Sequence, residues 1–185
     1  MRIIAGKFGG RRLKAVPGMK TRPTTDKVKE SMFNIIGPYF DGGNVLDLFA
    51  GSGGLSIEAV SRGAGQAYLI DRQYQAIKTI KENVAVTKAE DQFQIFKTDA
   101  RKALTKLAEK QIKFDLVFLD PPYKQQKIVD DLLKMKTLGL LNSNATIMCE
   151  TDQNAGLPQK IDGFEFLKTV TYGITVLTIY HYVGD

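Results

Sequence analysis

The chain has 185 residues, 43% of them hydrophobic and 25% charged, which is the composition of an ordinary soluble globular protein able to bury one full core. A single cysteine, Cys149, excludes an internal disulfide and a cysteine-based metal cluster, and a single histidine, His181, argues against a zinc site or a histidine-based triad, so no metal is expected. No apolar run approaches the ~20 residues that span a bilayer, and Met1–Gly6 lacks the apolar segment of a signal peptide, so a cytoplasmic location is expected.

The net charge of +6 is unevenly placed. Residues 1–29 hold nine basic side chains (among them Lys7, Arg11, Arg12, Lys14 and Arg22) against one acid, Asp26, a local +8 that leaves the other 156 residues at −2. Such asymmetry points to a polyanion-binding arm on a near-neutral body. The alternative is a solvated tail, and the interleaving of basic with structure-forming residues favours the arm.

In chain order, Arg2-Ile3-Ile4, a turn at 6–10 and Arg11–Lys14 suggest a hairpin, which needs a surface to lie on. Pro17-Gly18 breaks the pattern, and Thr25 or Asp26 caps a helix whose apolar face is Val28, Met32, Phe33 and Ile36, ended by Gly37-Pro38. Strands and helices then alternate. Strands are expected at 44–48, 66–70, 93–97, 114–119 and 145–149, and helices at 55–62, 74–87, 100–109 and 128–138. The fourth strand is markedly apolar and therefore central. Residues 164–172 and 174–181 read as a terminal antiparallel pair joined at Gly173. The expected fold is α/β: a doubly wound, mostly parallel, seven-stranded Rossmann-like sheet with a C-terminal antiparallel strand pair. Residues 1–43 form a small hairpin-plus-helix appendage and 44–185 the main domain.

The run Asn44–Leu48 ends in Asp47, passes through Phe49-Ala50-Gly51-Ser52-Gly53-Gly54 and opens into a helix. A buried parallel strand presents a nucleotide-like ligand to a helix N-terminus in this way. The third position of a dinucleotide fingerprint holds Ser56, and no GxxxxGK[ST] loop exists, so the turn suits a nucleoside better than a pyrophosphate. A plain strand-to-helix connection is the alternative for the turn taken alone. Four strands end in an acid: Asp47, Asp71, Asp99 and Asp120. In a doubly wound sheet these ends lie along one edge. Asp71 stands where a carboxylate receives two ribose hydroxyls. Asp99 sits where an adenine amine would lie, although for this residue taken alone a helix cap is the better explanation. Asp47 holds the glycine turn or faces the amino-acid end of the ligand. Asp120-Pro121-Pro122-Tyr123 is the most specific motif, because tandem prolines remove two backbone donors and leave carbonyls to accept from a ligand. An aromatic beside them can stack on a base. Cys149 reads as a packing residue and His181 as a surface strand residue, while for Glu150 the pattern does not decide between holding the sheet edge and approaching RNA.

These segments resemble S-adenosylmethionine-dependent amino-methyltransferases of nucleic acid. Residues 22–34 (Arg-Pro-Thr-Thr-Asp-Lys-Val-Lys-Glu-Ser-Met-Phe-Asn), Ile3-Ile4-Ala5-Gly6 and residues 58–64 resemble, more narrowly, the RsmD family of bacterial 16S ribosomal RNA guanine-N2 methyltransferases. The resemblance runs from about residue 2 to Tyr180. Gly54 and Ser56 stand where members often have Ala and Gly, and Asp71 where Glu is common. The resemblance implies a methyltransferase sheet, S-adenosylmethionine as cofactor with S-adenosylhomocysteine as product, and methylation of the guanine numbered 966 in 16S rRNA. The substrate is then a small-subunit particle or assembly intermediate, and the enzyme a monomer with no membrane partner. The implied cofactor set is Asp47, Phe49, Ala50, Gly51, Ser52, Gly53, Asp71, Arg72, Asp99 and Ala100, and the implied catalytic set is Asp120, Pro121, Pro122 and Tyr123. RNA contacts are expected at Lys7, Phe8, Arg11, Arg12, Lys14, Arg22, Pro23 and Thr24. Asp120 and the Pro121 carbonyl then accept the N–H bonds of the exocyclic amine, turning its lone pair toward the methyl group.

An adenine-N6 methyltransferase acting on DNA or RNA uses the same motif and is the leading alternative. A cofactor-binding RNA chaperone without transfer activity is disfavoured by the intact motif, and a NAD-dependent dehydrogenase by Ser56.

Overall fold

The computed structural model describes residues 1–18 and 24–184. Helix α1 (Asp26–Ile36) is followed by alternating strands and helices: β1 (Asn44–Asp47), α2 (Gly54–Ser61), β2 (Gln66–Asp71), α3 (Tyr74–Thr87), β3 (Phe93–Lys97), α4 (Ala100–Glu109), β4 (Phe114–Leu119) and α5 (Ile128–Thr137). Strands β5 (Leu141–Thr151), β6 (Lys160–Ile161), β7 (Phe164–Tyr172) and β8 (Thr175–Tyr182) complete the chain.

One sheet runs in the order β3-β2-β1-β4-β5-β8-β7-β6. β1 to β5 are parallel, and β8, β7 and β6 add antiparallel at one side. After β3 the chain crosses back to place β4 against β1, so the strand order reverses between those two strands. The carboxyl ends of β1 and β4 flank that switch point, the place where ligands bind in open α/β sheets.

Burial on both faces explains why β4 reads as a continuous apolar run. Leu116 and Phe118 face the core beneath α1, α2 and α3, while Val117 and Leu119 face the core beneath α4 and α5. On α3, Ile77, Ile80 and Val84 occupy one helical face and are buried. Thr25 caps α1 by accepting from the Val28 N–H, and Asp99 caps α4 by accepting from the N–H groups of Arg101 and Lys102.

Three differences from the expected elements have local causes. The sheet has eight strands, the addition being the two-residue edge strand β6. β5 begins four residues earlier and ends two later than its apolar segment, because Asn142-Ser143-Asn144 has loop composition and Asn144 takes φ +65° beside a register shift against β4. The N-terminal hairpin is a ribbon with one bridge, Arg2 to Arg12, supported by Ile3 N–H to the Arg11 carbonyl (2.9 Å) and Gly10 N–H to the Ile3 carbonyl (2.8 Å).

That ribbon lies on α2 and α3 and shares their core through Ile3, Phe8 and Leu13. Buried Glu58 on α2 holds it, accepting from the N–H groups of Ile4 (2.8 Å) and Ala5 (3.1 Å) while pairing with Arg62 Nε (2.7 Å) and Lys29 Nζ (3.4 Å). Asn83 on α3 braces the same region. Its amide donates to the Lys14 and Ser52 carbonyls, both at 2.9 Å, and its oxygen accepts from the Lys14 N–H at 2.8 Å. No helix among the described residues is long and apolar enough to cross a membrane.

Candidate active site

The glycine turn connects β1 to α2 and is pinned by Ala50 N–H to the Ile70 carbonyl (2.9 Å) and Gly53 N–H to the Ala50 carbonyl (2.8 Å). Gly51 and Gly53 take φ +57° and +82°, a region that L side chains adopt at a cost. A Cβ at Gly53 would press to 3.1 Å from a Leu69 methyl, whereas one at Gly51 would enter open space. The turn therefore presents a bare backbone surface at Gly51, where a ligand can approach.

Asp71, at the end of β2, secures this turn. Its Oδ2 accepts from the Gly51 N–H at 3.0 Å and its Oδ1 from the Gln73 N–H at 2.9 Å. Each oxygen retains a lone pair for a hydroxyl group of a ligand. Asp47, one of whose expected tasks was to hold the turn, does something else. It is buried and accepts from Ser56 Oγ at 2.8 Å, so the residue replacing the third glycine of a dinucleotide fingerprint serves as its hydroxyl partner. Burial pushes the Asp47 carboxyl up to about 7, with the Ser56 hydroxyl opposing the rise and the Asp71 charge adding to it.

Of the remaining candidates on this side, Ala50 is buried, Phe49 is half-buried against the α4–α5 core, and the Ser52 carbonyl is held by Asn83. Arg72 is exposed and Ala100 opens α4. Asp99 is exposed, and the N–H groups of Lys102 and Arg101 hold its carboxyl below the ordinary value, as expected of a helix cap. One Asp99 oxygen accepts both of these bonds, which leaves the other for a ligand.

Asp120 follows β4 directly. Pro121 is buried and Pro122 exposed, and the Pro122 carbonyl is taken by the Gln125 N–H at 3.0 Å in the short 3-10 turn Tyr123–Gln125. Among the described residues no backbone N–H reaches the Pro121 carbonyl. Tyr123 is half-buried, and burial first, then the Glu150 and Asp120 charges, raise its pKa.

The site also contains Glu150, whose role the sequence pattern does not decide. Leu119 pairs with Cys149 in the β4–β5 register, so the next residues along, Asp120 and Glu150, are neighbours. Glu150 is only 4% exposed, and its two oxygens accept from Thr24 Oγ1 at 3.4 and 3.3 Å. The register sets its carboxyl beside that of Asp120, and burial, followed by the Glu150 charge, holds Asp120 well above the ordinary carboxylate range. Cys149 beside it is a buried packing residue whose thiol is raised by burial.

The basic arm is more structural than its composition suggests. Phe8, expected among the RNA contacts, is 6% exposed in the core and so has no face free to stack on a base. Lys7 and Arg11 cover its ring at 5.0 and 5.3 Å. Arg11 Nη1 also donates to the Val86 and Thr87 carbonyls at the C-terminal end of α3, Lys7 Nζ donates to Gln92, and Lys14 pairs with Glu82 at 3.4 Å. Arg12 is exposed. Thr24 faces Glu150, and Arg22 and Pro23 lie outside the described residues. The larger surface hollow, about 550 Å³ beside β6 and β7, includes none of the strand-end acids.

A glycine turn after β1, an acid after β2 and an Asp-Pro-Pro-Tyr floor after β4, on this sheet order, define a methyltransferase of the α/β type. A family profile described as "Conserved hypothetical protein 95" matches residues 1–181, and the chain belongs to this family, the RsmD family. YlbH of Bacillus subtilis, provisionally named an rRNA methyltransferase, is 47% identical over 180 residues, 97% of this chain and 98% of that one. Ribosomal RNA small subunit methyltransferase D of Escherichia coli is 34% identical over 158 residues, 85% of this chain and 78% of that one. The solved structure of the provisionally named methyltransferase yhhF from Escherichia coli superposes with a TM-score of 0.83 at 31% identity, covering 100% of this chain and 99% of that one.

Proposed function

We propose that this protein is an S-adenosylmethionine-dependent methyltransferase of 16S ribosomal RNA that modifies the exocyclic N2 of one guanine, the guanine numbered 966, in a small-subunit particle or assembly intermediate. The observation that carries this is the juxtaposition, across the β1–β4 switch point, of a bare glycine turn with a half-buried acid and a proline carbonyl that no backbone N–H of the described residues claims. The names of the relatives support ribosomal RNA as substrate.

The residues present fit the cofactor. Open space at Gly51 admits an adenosyl group against the backbone, Asp71 keeps lone pairs for ribose hydroxyls, and Asp99 keeps one oxygen for the adenine edge. When bound, S-adenosylmethionine supplies an electrophilic methyl group on its sulfonium. A guanine N2 is a poor nucleophile because its lone pair is delocalised into the ring. Asp120 and the Pro121 carbonyl accept its two N–H bonds and so aim the lone pair out of the ring plane. Tyr123, half-buried in the turn after β4, stacks on the flipped base. Catalysis then rests on orientation in a water-poor site.

Residues 1–43 supply the RNA-facing surface and 44–185 the transferase domain. Arg12, with Lys7 and Lys14 released from exposed partners, meets phosphates. An adenine-N6 activity uses the same acceptor pair. Methyl transfer to guanine-containing RNA but not to an adenine-only RNA is the expected outcome, and transfer to the adenine-only RNA overturns the proposal.

A further inference from the structure

Methylation of an amino group must release a proton, and Asp120 has a neighbour arranged to receive it. Two carboxyl groups set side by side and away from water repel as anions, and a proton held between them relieves that repulsion, so the register suits the Asp120–Glu150 pair to share one. The geometry indicates which partner accepts. Glu150 faces the Thr24 hydroxyl with both oxygens, which fixes its orientation, while Asp120 lies at the end of β4 with burial opposing its charge. Among the described residues, the groups facing the pair are Thr24 ahead of α1, Tyr123 in the turn after β4 and Asp47 at the end of β1. Among the described residues no lysine or arginine forms an ion pair with either carboxyl.

We propose that Glu150 is the terminal proton acceptor of the reaction, reached through Asp120, with Thr24 holding Glu150 in place. This rests on the amino-methyltransferase function proposed above. In the free site Asp120 is the neutral acid, its O–H donating to the Glu150 carboxylate and its carbonyl oxygen facing the cleft. That oxygen accepts an N–H of the substrate amine. As the amine is methylated, its proton passes to this Asp120 oxygen while the original Asp120 proton moves to Glu150. One proton is lost by the amine and one gained by Glu150, Asp120 ends neutral as it began, and Glu150 returns its proton to solvent after product leaves.

A glutamine at 150 keeps the shape and a hydrogen bond but cannot accept a proton. Glu150→Gln therefore lowers kcat by about 100-fold, as much as Glu150→Ala, with the affinity for S-adenosylmethionine unchanged. The acid limb of the wild-type kcat–pH profile, set by ionisation of the interacting carboxyl pair, disappears in Glu150→Gln. A purely structural Glu150 predicts the reverse: Gln rescues what Ala loses and the acid limb stays. Carboxyl NMR of ¹³C-labelled protein without RNA gives a readout independent of substrate identity. The Asp120 titration moves to lower pH in Glu150→Gln because a like charge has gone, and an unmoved titration overturns the proposal. If the methylated base is not guanine, the base-mapping assay reports that separately and leaves the carboxyl titration intact.

Discussion

Two buried glutamates, Glu58 on α2 and Glu150 on β5, meet opposite surroundings. Glu58 is ringed by donors: Lys29 Nζ, Arg62 Nε and two backbone N–H groups from the N-terminal ribbon. Glu150 has one hydroxyl and faces a second acid. A buried charge with a full set of cationic and N–H partners is a structural clamp, and it ties the ribbon to the sheet. A buried acid set against another acid is costly to keep, and such arrangements concentrate where protons or ligands are handled. The contrast separates the part of the molecule that holds the fold together from the part that does chemistry.

The largest effect expected on the chemical side is for Asp120→Ala. It removes the acceptor of the amine and should lower kcat by about 1,000-fold or more while the dissociation constant of S-adenosylmethionine stays within about twofold, measured by titration calorimetry. Wild-type turnover in that variant would erase the distinction between the two acids. On the structural side, Glu58→Ala strands Lys29 and Arg62 in the core and should cost about 3–5 kcal/mol in urea unfolding. A loss below about 1 kcal/mol would mean the clamp is not one.

Asp47 lies between these cases, with one hydroxyl partner and no cationic one among the described residues. Its folded pKa of about 7 is raised above an unfolded value near 3.8. The stability tied to its protonated form is fully present below about pH 4 and is lost as pH rises through 7. Asp47→Asn removes that dependence, so its stability relative to wild type should improve by a few kcal/mol between pH 4 and 8. Parallel pH–stability curves for the two proteins would place Asp47 with the fully satisfied acids. The smallest effect belongs to the arm. Arg12→Ala should reduce the slope of log K against log salt for RNA binding by about 0.9 or less, and an unchanged slope would make Arg12 a solvated surface residue.

The parallel half of the sheet was legible because its chemistry is local. Apolar runs of strand length, amphipathic helices and an acid at each strand exit are written within a few residues, and the bounds of β3, β4, α3 and α4 follow directly. The Asp-Pro-Pro-Tyr floor was legible for the same reason, since proline carries its constraint in its own ring. Glu150 was not, because its meaning comes from register. β5 runs through Asn142-Ser143-Asn144 and past the apolar segment, and only the pairing of Leu119 with Cys149 reveals that Glu150 sits beside Asp120. The arm misled in a related way. Its positive charge is plain in the sequence, but Arg11 caps carbonyls 75 and 76 residues away and Phe8 turns into the core, contacts that no local pattern announces.

The function is tested most directly by nucleoside mapping. Small-subunit particles from a strain lacking this protein are incubated with it and isotope-labelled S-adenosylmethionine, alongside protein-free 16S rRNA, then digested and analysed by mass spectrometry. The expected result is a single labelled N2-methylguanosine, absent with Asp120→Ala. Label in N6-methyladenosine, or none in any nucleoside despite cofactor binding, would contradict it.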